Sequence, residues 1–166
     1  MSKKILNAGC GEETYGTSFI DLYPSRKGVK RCDIDRDRFP YADNIFDEVY
    51  SNNNFEHLRN PNHFLSEAYR VLKRGGIVRI ITDNAGFFGF FTPAHYGGHE
   101  VWHKNHPRDR HYMLFTPTHL KNWLEITGFR NIHITYSNLK SADWKIKLLA
   151  NINKKFNQQI TATGIK

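Results

Sequence analysis

Leu6-Asn7-Ala8-Gly9-Cys10-Gly11 is the stretch that decides the fold. Residues 4–8 read as a short strand, and Gly9-Cys10-Gly11 turns the chain. A second apolar run, Ser18-Phe19-Ile20-Asp21-Leu22, starts almost at once. A strand, a Gly-x-Gly turn and a second strand ending in an acid is the plan of a nucleotide-binding α/β sheet. In the dinucleotide version a helix must follow the turn, because its N-terminus holds the pyrophosphate. Residues 12–17 leave space for about one helical turn at most.

Further strand-like runs follow at 29–33, 47–51 and 78–82. Between the last two lies a helix. Pro61 suits its first turn, and Phe64, Leu65, Ala68, Val71 and Leu72 make an apolar stripe. Arg70, Lys73 and Arg74 favour its C-terminal end, and Gly75-Gly76 is expected to stop it. A second helix is predicted over 117–127, with Thr116 or Thr118 as cap, Leu120, Trp123 and Leu124 inward, and Gly128 as stop. Residues 131–137 alternate as a half-buried strand. Trp144, Ile146 and Leu148 also alternate and suggest a last strand, with a helix through Leu149 and Ile152 as the other reading. From about residue 154 the chain is polar and is expected to be loosely held. The predicted class is a mostly parallel α/β sheet, Rossmann-like, with the first helices reduced or missing, in one domain spanning 1–166.

At 166 residues the chain can bury a sizeable core. No apolar run approaches the roughly 20 residues of a membrane helix, and the stretch after Lys3-Lys4 is too short for a signal peptide. Cys10 and Cys32 make no disulfide framework and suit a reduced, cytoplasmic protein. The formal charge of +8 is spread over scattered positions, as on a solubilising surface. It also admits an anionic partner, and among these a nucleic acid is not favoured, since no nucleic-acid module motif is present.

Residues 85–113 have no clear period and are crowded with aromatics and histidines, among them Phe87, Phe88, His95, Tyr96, Trp102 and His111. Long aperiodic connections in a compact domain are usually functional or disordered, and this one is too aromatic for disorder. It leaves the fifth strand at the edge where open α/β sheets place their ligands, so it is expected to form the acceptor side of a pocket. It contains His99-Glu100-Val101-Trp102-His103, the spacing with which two helical histidines bind zinc. Gly97-Gly98 and Pro107 oppose a helix long enough for that, and no metal is expected there.

A ligand for this turn carries ribose and adenine but no phosphate needing a helix dipole, which S-adenosylmethionine satisfies. Five further pieces then line up behind Leu6–Gly11: Ile20-Asp21-Leu22; Cys32-Asp33-Ile34; the run from Phe39-Pro40-Tyr41 to Val49-Tyr50-Ser51; Phe55-Glu56-His57-Leu58; and Glu67-Ala68-Tyr69-Arg70-Val71-Leu72-Lys73-Arg74-Gly75-Gly76. This ordered series resembles the class I S-adenosylmethionine-dependent methyltransferases, in the small type 11 branch, closely over residues 4–82 and loosely over 115–129.

The resemblance implies a cofactor site built from Asn7, Ala8, Gly9, Cys10 and Gly11, with Asp21 and Leu22 at the ribose, and Asp33 and Ile34 at the adenine. Gly9 and Gly11 would let the backbone approach the methionine portion, and Ser51, Asn52 and Asn53 would pass beneath it. Asn7 stands where many relatives carry an acid, and the helices after the first two strands are missing. One sheet face is therefore expected to be thinly covered, by residues 85–113, a partner subunit or a second copy. The implied activity is methyl transfer to a small-molecule or glycan-type acceptor. His95, Tyr96, His111 and His57 are the candidate bases. A cofactor-binding but non-catalytic partner subunit and a nucleic-acid methyltransferase are the rival classes.

Overall fold

The computed structural model describes residues 2–91, 111–138, 142 and 144–166, the side chains of Phe90 and Phe91 excepted. Its centre is a seven-stranded sheet in the order β3-β2-β1-β4-β5-β7-β6. The strands are β1 (Ile5–Ala8), β2 (Ser18–Asp21), β3 (Val29–Arg31), β4 (Phe46–Asn52), β5 (Leu72–Asp83), β6 (Arg130–Ser137) and β7 (Gln159–Ile165). β1 to β5 pair in parallel, and β7 runs antiparallel to both of its neighbours, β5 and β6. Parallel neighbours are usually joined by a crossover of a dozen or more residues, most often through a helix. Residues 9–17 and 22–28 join β1 to β2 and β2 to β3 without one, as the short spacers predict.

Helices α1 (Pro61–Val71) and α2 (Pro117–Thr127) cover one face of the sheet. α1 buries Phe64, Leu65, Ala68 and Val71 against Leu6, Ala8, Val49 and Val78. Phe64 also meets Phe39 and Phe55 edge-on, each at a 5.8 Å centroid distance. Asn60 caps α1 by accepting from the His63 amide. At α2, Thr116 is the cap that forms, and Gly128 ends the helix at φ 107°, the left-handed conformation glycine adopts without a Cβ penalty.

Three expectations are corrected. α1 stops at Val71, one residue before β5 begins, so Lys73, Arg74 and the glycine pair are strand rather than helix end. Leu72 already pairs with Phe46, Lys73 holds Asp47 at 2.6 Å, and the backbones of Gly75 and Gly76 bond Lys166. Residues 144–152 form helix α3 (Trp144–Ile152), not a strand, and pack on the turn Lys154–Phe156. The polar tail is not loose: residues 159–165 are strand β7, between two partners, with Ile160 and Ala162 fully buried. Among the described residues no helix is long and apolar enough to cross a membrane, and Cys10 and Cys32 are free and buried.

The second face is covered near its centre by the β1–β2 loop. Tyr15 packs edge-on against Tyr50 at 4.7 Å and donates its hydroxyl to Glu48. Glu48 is fully buried, with Lys3 at 2.6 Å and Arg79 at 2.9 Å. Burial opposes its charge, but the bonds from Lys3 and Arg79 outweigh it and hold its carboxyl below the usual carboxylate range. A carboxyl depressed in the folded state stabilises the fold above its unfolded value, about 4.3, and that stabilisation is lost as pH falls through the folded value. Arg79→Ala leaves the buried carboxylate with Lys3 as its cation and the Tyr15 hydroxyl as a neutral donor. Since both cations are partly solvated, the expected loss at pH 7 is about 1–3 kcal/mol, with a smaller loss below pH ~4. Thermal melts of both proteins across that range measure it; parallel curves would mean Arg79 does not stabilise the ionised form.

Candidate functional site

A cavity of about 680 Å³ opens at the C-terminal ends of β1 to β4. Its first wall is the glycine turn. As β1 ends, the amides of Gly9 and Cys10 both donate to the Ile20 carbonyl, at 2.9 and 3.2 Å. This clamps the turn to β2 and fixes the approach of its backbone. Asp21 closes β2, and its carboxylate accepts from the amides of Gly11 and Tyr23, each at 2.8 Å. Those two bonds orient the carboxylate at the cavity wall, where its remaining lone pairs can take hydroxyl donors.

Asp33 and Ile34 follow β3 and line the same space. Asp33 is held by Arg36 at 2.9 Å and by the Asp35 amide. Asp35 accepts from the amides of Arg59 and Asn60, which ties the turn after β3 to the start of α1 across the cavity. Asn54 donates to the Gly9 carbonyl at 2.7 Å and supplies the wall beside the glycine turn. Leu22, Leu58, Arg59 and Tyr112 also line it, with the Arg59 guanidinium donating to the Tyr112 hydroxyl at 2.7 Å.

Gly9, Gly11, Asp21, Leu22, Asp33 and Ile34 are thus brought to one cavity. The other expected cofactor residues stand behind its wall. Ala8 and Cys10 are buried. Asn7 donates its amide to Glu13 and to the Tyr15 carbonyl, while its buried Oδ1 has no partner among the described residues. Ser51 donates to the Ala8 carbonyl, Asn52 donates to Glu13, and Asn53 accepts from Gln159. These contacts brace the turn, and the residue of this segment that reaches the cavity is Asn54. Its signal was in the run Asn52-Asn53-Asn54, which on sequence grounds is equally well a plain turn. Asp35, Arg59 and Tyr112 carried no motif.

His57 lines the cavity, and the His111 ring meets it edge-on at a 4.6 Å centroid distance. His111 Nδ1 lies 3.0 Å from Asp83. Beneath them Glu56 is buried and accepts from the Thr82 hydroxyl at 2.7 Å. Burial, with the nearby Asp83 charge adding to it, pushes the Glu56 carboxyl up to about 7. His95, Tyr96 and the His99-Glu100-Val101-Trp102-His103 run lie outside the described residues. At the described start of the 85–113 segment, Phe87 is buried and Phe88 packs against Phe156.

The donor set fits S-adenosylmethionine. Two strand-end carboxylates are spaced along one wall, an apolar Ile34 sits beside the second, and a helix-free glycine turn offers no phosphate dipole.

Comparison with known proteins points to the same fold. The model of a family described as methyltransferase domain matches residues 6–80. An uncharacterized protein of Methanocaldococcus jannaschii is 27% identical over 122 residues, covering 71% of this chain and 55% of its own length. The chain thus spans little more than half of that relative. A S-adenosylmethionine-dependent methyltransferase of Thermotoga maritima superposes with a TM-score of 0.68 at 15% identity, over 100% of this chain and 83% of the other. One from Archaeoglobus fulgidus gives 0.65 at 18%, over 99% and 86%. Phosphoethanolamine N-methyltransferase 2 of Haemonchus contortus, solved with phosphomonomethylethanolamine and S-adenosylhomocysteine, gives 0.66 at 17%, over 100% and 49%. Residues 6–80 thus carry the match to a methyltransferase domain, and the sheet of the whole chain has the fold of S-adenosylmethionine-dependent methyltransferases of known structure.

Proposed function

We propose that this protein transfers a methyl group from S-adenosylmethionine to a small-molecule or glycan-type acceptor. The observation that carries the reading is the continuity of the cavity. The same space is bounded by Gly9, Gly11 and Asp21 at one end and by His57, Arg59 and Tyr112 at the other. S-adenosylmethionine, when bound, supplies an electrophilic methyl group on a sulfonium. Asp21 is suited to accept from the ribose hydroxyls and Asp33 from the adenine amino group, with Ile34 against the ring. Gly9 and Gly11 leave room for the methionine portion. Leu58 and Tyr112 bring apolar surface that excludes water, so that alignment of the two reactants supplies much of the rate. Arg59 puts an exposed cation at the acceptor end, which supports an anionic acceptor. His57 and His111 stand where an acceptor oxygen would be handled.

Calorimetry is expected to show one S-adenosylmethionine or S-adenosylhomocysteine per chain and no NAD. Asp21→Ala removes a charged acceptor serving two hydroxyls, each such bond being worth about 1.5–3 kcal/mol. Affinity should fall tenfold or more, while the melting temperature changes little because the residue is half exposed at a strand end. A folded protein that binds neither ligand at millimolar concentration would overturn the reading. Acceptors are then screened with labelled cofactor, phosphorylated compounds first.

A further inference from the structure

We propose that Glu56, His57 and His111 form a binding site for one divalent transition-metal ion of the zinc type, at the acceptor end of the cavity. One carboxylate oxygen and one ring nitrogen from each histidine lie within 4.8 Å of one another. A tetrahedral ion bound at about 2.0–2.2 Å sets its donors roughly 3.4 Å apart. Side-chain rotation is required to close that difference.

The backbone already holds the three donors together. Glu56 and His57 are neighbours on the turn Phe55–His57 that follows β4. His111 comes from a segment distant in sequence, but the amides of Tyr112 and Met113 both donate to the Glu56 carbonyl, at 2.9 and 3.2 Å. The third ligand is thereby latched to the turn that carries the other two. Two of the three donors also show the kind of outer partner that metal ligands use. His111 Nδ1 faces the Asp83 carboxylate at 3.0 Å, the carboxylate–histidine contact by which metal-ligand rings are oriented. The Thr82 hydroxyl fixes the Glu56 carboxylate at 2.7 Å.

Charge points the same way. Glu56 is 2% exposed, and among the described residues it forms no ion pair with a lysine or arginine. Asp83 stands close by on β5. A buried carboxylate with a second, half-buried one close by is a setting that favours a bound cation. Two imidazoles with one carboxylate suit zinc, cobalt, iron(II) or manganese rather than magnesium or calcium, which take mainly oxygen ligands.

The site itself does not depend on the methyl-transfer reading, but its role does. An acceptor hydroxyl entering beside His57 would bind the ion through its oxygen. The ion lowers the proton affinity of that oxygen. The O–H bond then breaks with its electron pair left on the metal-bound oxygen, and the proton passes to water.

The test uses the full chain, stripped with a chelator and titrated with zinc or cobalt chloride alone. One ion per chain is expected, and cobalt should give the visible absorption of a low-coordinate site. Glu56→Gln and the double change His57→Ala with His111→Ala should each weaken binding at least tenfold. Asp83→Asn, which acts through His111, should weaken it about 10–100-fold. A zinc absorption-edge spectrum of the unaltered protein should contain two imidazole ligands, so the test stands even where a variant fails to fold. Absence of binding by the folded protein overturns the proposal, as does binding that the double variant leaves unchanged. If no ion binds but S-adenosylhomocysteine does, the metal site falls and the methyl-transfer reading stands. If the ion binds and neither cofactor form does, the reverse holds.

Discussion

Removal of residues 159–165 is expected to leave a chain with no cooperative melting transition. These residues are β7, and they pair along their whole length with β5 on one side and along most of it with β6 on the other. Without them β6 has no partner in the sheet, and α2, which packs against β6 and β7 as well as α1, is left with α1 as its secured neighbour. Ile160 is fully buried and alone contributes about 1.5–3 kcal/mol. The paired backbone and the detached β6 add more. Together these losses fall on a domain whose total stability is on the order of 5–15 kcal/mol. A milder version is Ile160→Ala, expected to cost about 2–5 kcal/mol through lost transfer energy and the cavity left behind. Circular dichroism and thermal melts of both variants decide the matter. A truncated chain that still melts cooperatively near the parent temperature would mean that β7 is an accessory strand.

The second large effect is expected at Gly9. Its φ is +76°, in the left-handed region, and a Cβ placed there would lie 2.4 Å from Cγ of Asn54. Gly9→Ala therefore carries two costs. The backbone conformation is worth roughly 1–2 kcal/mol against any L side chain. The added methyl must also displace Asn54, whose amide holds the carbonyls of Gly9 and Asn52. Asn54 and Gly9 both line the cavity, so the displacement reaches the ligand directly. Cofactor affinity should fall on the order of a hundredfold, about 2.7 kcal/mol, and stability by about 1–3 kcal/mol. Gly11→Ala is the control. Its φ of +48° is also left-handed, but a Cβ there meets nothing within 4 Å. It should lose stability to backbone strain yet keep most of its affinity. Calorimetry on the pair separates crowding from strain; equal affinity losses at both positions would remove Asn54 from the account.

These positions also mark what was legible in the chain. The glycine turn, Asp21 and Asp33 could be read because each lies beside its own strand, and local order along the sequence maps directly onto one sheet edge. α2 was legible for the same reason, since its cap, its stripe and Gly128 are all local. The tail was not. Gln159 to Ile165 has Ala162 and Gly164 on its inward row, where a bulky residue would strike Phe129: a Cβ on Gly164 would lie 3.0 Å from the Phe129 Cβ. Tight packing against a neighbour thus removed the large apolar residues by which a buried strand is usually recognised. At α3 the alternation of Trp144, Ile146 and Leu148 pointed to a strand, although Trp144 and Leu148 are both exposed on the helix that forms. The meeting of His57 with His111 has no local signature at all. It is made by two amides donating to the Glu56 carbonyl, a backbone contact that side-chain patterns do not report.

The position of β7 has a consequence for how the protein comes into being. Synthesis runs from β1 toward β7, so β5 and β6 are complete long before the strand that joins them. Until residues 159–165 have been made, β5 offers a bare row of amides and carbonyls beside β4, and β6 is left without its sheet partner. Unpaired strand edges of this kind invite pairing with other chains. A chain that stops short of residue 159 therefore carries two strand edges that the finished sheet covers, and it is expected to associate with other chains more readily than the finished one.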